Sequence, residues 1–522
     1  MMHPSRQAYV EEEREPEDTD MGVDLANIPI DRDYMIPSGA AGAPAQNASA
    51  IISQLERKRR AAAIAVPTDD GRVRARLREL KEPITLFGEG PAERRDRLRE
   101  LLTQQQEATD GVDGEGDVRM GDTADVDQEG EAEEEFYTEG TQELLLARQY
   151  IARYSLPRAR DRLAFQKIES RIPLKTHVDH RSEIKERLSG FELVGSEIAA
   201  ERPVSIARFS PNARYIAAGN WGGGIRLMDV PNLETKHTLR GHTDRIGGIT
   251  WFPEAILPDL SVTESSVNLA SGGGEGNINL WSLSQDTPLA TLSGHTGRVC
   301  RVECHPSGRY IASASFDTTW RLWDVEKTTE LLLQEGHSRE VYTVSFNTDG
   351  SLLASAGLDS IGRVWDLRTG RTVMILNSHI EPIYGIDWSV DGHRLLTGSA
   401  DGFAKCWDVR AVREIGKIGA HKGGVTDLRW YKGIDGPASG KKLRENEEGE
   451  LQPKKASTFF VSSGFDKDVK IFSADDWALC KTLSGHSGNV LSVDVSLDAR
   501  YILSSGQDRT VKLWARDDEE GI

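Results

Sequence analysis

A histidine returns along the second half of this chain at a fixed interval. His295, His337, His379 and His421 follow one another in steps of 42 residues. After His295, His337, His379 and His486 an aspartate stands 22 residues on, at Asp317, Asp359, Asp401 and Asp508. Six residues beyond each aspartate is a tryptophan (Trp323, Trp365, Trp407, Trp514), and four before it a hydroxyl residue (Ser313, Ser355, Thr397, Ser504). Four residue types in phase four times over mean one supersecondary unit, repeated, whose copies bury their apolar faces on one another. The types also suggest a hydrogen-bond chain. The carboxylate in a tight turn accepts from the imidazole, the imidazole reaches the hydroxyl, and the hydroxyl accepts the indole N–H, as buried polar groups require. Short alternating strands lie between these marks, as in RYIASASFDTTWRLWDV, and the turns SPNAR, HPSGR, NTDGS, SVDGH and SLDAR join first to second strands in five units. The His–Asp–Ser sets superficially match a nucleophile–base–acid list. Recurrence once per unit assigns them to the architecture instead, so no enzyme is expected.

The dipeptides around these marks resemble the WD40 family. Gly-His stands at Gly241-His242, Gly294-His295, Gly336-His337 and Gly485-His486, and Trp-Asp at Trp323-Asp324, Trp365-Asp366 and Trp407-Asp408. The resemblance implies an all-β, seven-bladed propeller over residues 191–522. The second repeat puts Glu275 at the aspartate position and keeps Trp281. The sixth keeps Asp466 but has Phe472 for the tryptophan. The first has Gly222 and Met228 at these two places. Residues 191–196 are expected to supply the last strand of the seventh blade and so remove a sheet edge. Longer gaps of 53 residues (His242 to His295) and 65 (His421 to His486) mark insertions, the second a charged loop over 432–456.

Composition limits what precedes the repeats. The net charge of −19 argues against coating DNA with the whole chain. No apolar run is long enough to span a bilayer, and the acidic start MMHPSRQAYVEEEREPEDTD lacks the apolar segment of a signal peptide. Cys300, Cys304, Cys406 and Cys480 show no metal-ligand spacing and read as reduced core thiols. Neither metal nor cofactor is expected. Residues 1–66 read as mostly disordered, with Arg57-Lys58-Arg59-Arg60 as either a nuclear localisation signal or the solvated face of a short helix. Residues 104–138 form an acidic linker, with 13 carboxylates against one Arg between 107 and 135. Residues 139–190 form a basic helical arm, with 11 Lys/Arg against six Asp/Glu from 140 to 190. Its apolar stripe is Leu144, Leu145, Ala147, Tyr150 and Ile151, and Pro157 is expected to interrupt it.

Between the disordered start and the linker, residues 67–103 read as two short helices. Val73, Leu77 and Leu80 mark one face and Leu98, Leu101 and Leu102 the other, with Thr68, Asp69 and Asp70 as cap oxygens. Gly88-Glu89-Gly90 lacks the further glycine of a dinucleotide loop and the Lys-Ser/Thr of a triphosphate loop, so it is punctuation before Pro91. The stretch PTDDGRVRARLRELKEPITLFGEGPAERRDRLREL resembles the splicing factor motif. That motif followed by a WD40 propeller is the plan of the U4/U6 WD40 proteins, the pre-mRNA processing factor 4 family. The resemblance implies a nuclear scaffold of the U4/U6 and U4/U6.U5 particles, beside processing factor 3 and, in some members, a spliceosomal cyclophilin.

Candidate RNA or protein contacts are Arg72, Arg74, Arg76, Arg78, Phe87, Arg94, Arg95, Arg97 and Arg99 in the motif, and Arg153, Arg158, Arg160, Arg162 and Lys167 in the arm. Arginines bind phosphate in a salt-dependent, sequence-tolerant way. The competing reading pairs them with neighbouring carboxylates or packs the arm on the next domain. Protein docking is the expectation for the motif, and RNA contact for the arm. An alternative function is that of substrate receptor for a cullin–RING ubiquitin ligase, from the W-D-x-R pattern at Trp365–Arg368 and Trp407–Arg410.

Overall fold

The computed structural model describes residues 66–67, 70–80, 82, 94–99, 101–102, 140–253, 255, 263–436 and 451–516. The segments 1–65, 83–93 (with Phe87 and Gly88 to Pro91) and 103–139 lie outside that set, as do Thr68, Asp69 and residues 437–450. Seven four-stranded antiparallel sheets form a ring. Their innermost strands are Val204–Phe209, Ile246–Trp251, Val299–Cys304, Val341–Phe346, Ile383–Trp388, Val425–Trp430 and Val490–Val495. Blade faces stack on one another, so second strands such as Tyr310–Ser315 and Arg394–Ser399 are buried along their whole length. This explains why small residues (Ala, Ser, Gly) alternate there with Ile and Leu. Outer strands such as Arg413–Gly419 are mostly exposed. The five turns read from sequence do join first to second strands. Their fourth residues, Ala213, Gly308, Gly350, Gly392 and Ala499, all adopt positive φ.

The ring closes between the two ends of the repeat region. Strand Glu192–Ile198 pairs antiparallel with Thr510–Ala515 as the outer strand of the seventh blade. This completes the fourth strand of that blade and covers the edge that Thr510–Ala515 would otherwise present.

The hydrogen-bond chain forms as its spacing requires. In the third blade His295 Nδ1 lies 2.7 Å from Asp317 Oδ2 and Nε2 lies 2.7 Å from Ser313 Oγ, which accepts Trp323 Nε1 at 2.8 Å. The fourth, fifth and seventh blades repeat it with His337–Asp359–Ser355–Trp365, His379–Asp401–Thr397–Trp407 and His486–Asp508–Ser504–Trp514. The second blade builds the same chain with Glu275 against His242, and with Ser271 under Trp281. In the sixth, His421 still bridges Asp466 and Ser462, while Phe472 stacks on Phe460 at 5.2 Å in place of the indole.

Asp317→Ala is expected to strand His295 Nδ1 and the Thr319 hydroxyl, which donates to the same carboxylate at 2.7 Å. The cost is about 1–3 kcal/mol, read as a lower urea midpoint; an unshifted midpoint would count against the network. The variant has a pH signature as well. Burial alone would raise the Asp317 carboxyl, but the hydrogen bond and charge of His295, with the Thr319 hydroxyl and amide, hold it at about 2. A depressed carboxylate stabilises fully above its ordinary value of about 3.9, and that contribution is lost as pH falls through the folded value. The stability gap between wild type and variant is therefore flat from neutral pH to about 4 and narrows below it.

Charged side chains fill the axis of the ring. Asp427, on the inner strand of the sixth blade, accepts from Arg208 of the first at 2.8 Å and Ser492 of the seventh at 3.1 Å, and pairs with Arg301 of the third at 3.4 Å. One buried carboxylate thus joins four of the seven blades. Burial would raise it, but Arg208, Arg301 and Arg429 hold it far below the ordinary range. The backbone is tied between neighbours too. Asp494 accepts Phe209 N and Asp387 accepts Trp430 N, each at 2.8 Å.

Candidate functional site

Two of three long helices carry candidate contact residues, the first and the second, while Arg94, Arg95, Arg97 and Arg99 lie on a shorter helical stretch at 94–99. The three are α1 (Asp70–Glu79), α2 (Gln142–Glu169) and α3 (Leu174–Leu188). Thr141 caps α2 by accepting Leu144 N at 3.2 Å. Pro157 does not interrupt this helix, contrary to the sequence expectation. Proline removes one intrahelical donor, but docked residues on both sides, Ile151 and Ser155 before it and Phe165 after it, hold the helix on its track. The buried stripe is Leu144, Ala147 and Ile151, against Leu331, Leu332 and Leu367 of the propeller. Leu145, expected in that stripe, is 56% exposed because it lies a quarter-turn from it.

The arm is docked on the propeller, and much of its charge does the docking. Arg162 pairs with Asp349 at 2.7 Å and donates to the Asp391 carbonyl at 3.1 Å. Gly392 sits beneath it at φ 72°, where a Cβ would lie 2.8 Å from the guanidinium. Arg158 lies over the Tyr154 ring at 4.2 Å, and Tyr154 faces His305 at 5.5 Å. On α3, Arg181 pairs with Asp475 at 2.7 Å and Lys185 with Asp476. Ile184 and Leu188 join the core of the last two blades. Arg162 and Arg158 are therefore used within the chain, as in the packing alternative. Arg153, Arg160 and Lys167 are exposed and make no side-chain hydrogen bond or ion pair among the described residues. Their spacing of seven residues, two helical turns, puts them on one side of α2.

The motif has its own small core of Val66, Val73, Leu77 and Leu98, with Leu80, Leu101 and Leu102 at its edge. Val66 belongs to it although composition places that residue in the disordered start. Arg72, Arg74, Arg76 and Arg78 are exposed on α1. Arg72 pairs with Glu335 at 3.2 Å, and Arg95 donates to the Ser338 carbonyl at 3.2 Å. Both partners flank His337 of the fourth blade. Arg76 and Arg99 pair inside the motif with Glu79 and Asp96. Arg97 is half-buried. Arg94 is only 4% exposed. Phe87 lies outside the described residues.

Lys454, in the second insertion, carried no signal in sequence. It is buried and pairs with Asp391, and with Glu169 of α2 at 3.1 Å. Cys300, Cys304 and Cys406 are buried free thiols. Burial pushes Cys300 and Cys406 up to about 12.

Among known families, the one described as pre-mRNA processing factor 4 (PRP4) like matches residues 73–101. The WD domain, G-beta repeat, matches 233–282, 286–324, 328–366, 370–408 and 477–515. The chain is 41% identical over 502 residues to the U4/U6 small nuclear ribonucleoprotein PRP4 of Saccharomyces cerevisiae, covering 94% of this chain and 98% of that protein. The chain belongs to the PRP4 family. Other relatives are a WD repeat-containing protein of Schizosaccharomyces pombe (41% identical, 51% of this chain and 56% of that one) and the U4/U6 small nuclear ribonucleoprotein Prp4 of Bos taurus (40%, 42% and 41%). The matched part thus spans about half the length of those two relatives or less. The PRP4-like match falls on the motif that rests against the fourth blade, and the repeat match leaves out the inner strands of the first blade, which lacks the histidine chain, and those of the sixth, which carries the long insertion and Phe472 for the tryptophan.

Proposed function

We propose that this chain is a non-enzymatic scaffold of the U4/U6 and U4/U6.U5 particles in nuclear pre-mRNA splicing. It holds partner proteins, processing factor 3 and a spliceosomal cyclophilin among the expected ones, and supports small nuclear RNA contacts. The observation that carries this reading is the near end-to-end match to the Saccharomyces cerevisiae protein named for the U4/U6 particle. The architecture is consistent with it. A closed propeller whose axis is filled with paired charge offers surfaces rather than a reaction chamber.

The exposed row Arg153, Arg160 and Lys167 is the proposed RNA contact of the arm, reading phosphates and not bases. The test is crosslinking and sequencing of RNA bound to the full-length protein, with Arg153→Glu/Arg160→Glu/Lys167→Glu alongside. U4 and U6 RNA should be enriched on the wild type. Binding should weaken in the reversal with an unchanged melting temperature, and its salt slope should fall by about 0.7–0.9 for each phosphate no longer neutralised. Intact U4/U6 crosslinks in the reversal would remove the arm from the proposal. Recovery of a cullin–RING adaptor without these RNAs would favour the ligase alternative. Arg368 and Arg410 of the W-D-x-R pattern pair locally with Asp366 and Asp408, which gives that pattern a reason within the fold.

A further inference from the structure

Where α2 turns into α3, the elbow overhangs the rim of the fifth and sixth blades and encloses an open cleft of about 600 Å³. Four cations line it, Arg181, Arg394, Arg410 and Lys454, against three carboxylates, Glu169, Asp391 and Asp475. The carboxylates are already taken. Asp391 accepts from Arg394 and Lys454, Glu169 pairs with Lys454 at 3.1 Å, and Asp475 pairs with Arg181 and Arg394 at 2.7 Å each.

Donors remain. Arg181 Nη1 is buried and has no hydrogen-bond partner among the described residues. Arg410 is exposed and held only by two contacts of 3.4 Å to Asp408. The His177 ring, also on the wall, makes no hydrogen bond or ion pair among the described residues. A buried N–H without an acceptor is costly, and a negatively charged acceptor satisfies it best. Ile415 and Trp477 add an apolar side to the wall.

We propose that this cleft receives a phosphorylated side chain on a peptide of a partner protein. A phosphate brings about −1.5 to −2 charge and three strong acceptor oxygens, enough to engage Arg181, Arg410 and an imidazole together. A carboxylate brings one charge and two acceptor oxygens, fewer than these donors can use. A single-stranded RNA needs open aromatic faces on which its bases stack. Trp477 is half-buried, edge-on to Trp430 at 6.5 Å, with its ring against Gly416, so a phosphopeptide is the better fit.

The test uses the full-length protein and four probes: a degenerate phosphoserine peptide library, its unphosphorylated twin, inorganic phosphate and a short oligouridine. The phosphorylated library should bind about tenfold or more tightly than its twin, and millimolar phosphate should compete. Arg410→Glu should weaken it by about tenfold or more without lowering the melting temperature, because Arg410 is exposed. Arg181→Gln should weaken it too. Should that variant lose stability along with its Asp475 pair, Arg410→Glu decides alone. Equal binding of the two libraries, indifference to Arg410→Glu, or preferential displacement by oligouridine would each overturn the proposal, the last in favour of RNA.

Discussion

Asp427→Ala should cost the propeller about 3–5 kcal/mol, the usual penalty for removing one partner of a buried ion pair. The carboxylate is fully enclosed at the ring axis, and its loss removes the ion-pair partner that Arg208 and Arg301 share, with Asp494 as the carboxylate still near Arg208. Ser492 Oγ loses its acceptor as well. Asp427→Asn keeps the shape and part of the hydrogen bonding while removing the charge, so it should fall between alanine and wild type. The measurement is urea unfolding followed by tryptophan fluorescence. A loss under about 1 kcal/mol for the alanine variant would mean that the four blades do not depend on this carboxylate.

The second large effect is expected at Asp391→Ala. Asp391 sits in the first turn of the fifth blade and accepts from Arg394 Nε at 3.1 Å, from Ser389 Oγ at 3.0 Å and from Lys454 Nζ. Burial would raise this carboxyl, but Arg394 and Lys454 keep it well below the ordinary range. Its removal leaves Arg394 to Asp475 and Lys454 to Glu169 in a largely desolvated place, at about 3 kcal/mol, the low end for a broken buried pair. Lys454→Met alone should cost less, since Arg394 and Asp391 still satisfy each other. The pair of substitutions should cost less than the sum of the singles, because they share one interaction. Strict additivity in this cycle would show that the Asp391–Lys454 contact contributes nothing.

Apart from the helical motif at 67–103, the parts that sequence made legible share one property: they repeat. His295, Asp317, Ser313 and Trp323 announce a network because three other sets keep the same spacing. Even the Glu275 and Phe472 departures could be placed in register. The axial cluster had no such signal. Arg208 and Asp427 meet across 219 residues, and a lone Arg or Asp on an alternating strand looks like any other polar position. The arm was half legible. Helical period distinguishes an apolar face, but the arm carries leucines all round, so Leu145 and Leu144 were indistinguishable until the propeller supplied a surface for one of them. Positive charge likewise does not say whether a residue meets RNA or its own chain. Arg162 meets Asp349, whereas Arg160, two positions away, has no ion pair among the described residues.

The way the ring is shut also sets a timetable. Ser196 and Lys512 meet at 2.7 Å although 316 residues separate them. During synthesis at about 5–20 residues per second, the strand that shuts the ring leaves the ribosome roughly 15–60 s before its mate exists. Every blade between them can pair its own strands as it emerges, but the earliest-made strand of the propeller must wait for the latest. A nascent chain therefore passes through a state with six blades paired and one short of a strand, and that vacancy is where a chaperone or an errant strand from another chain would have its opportunity.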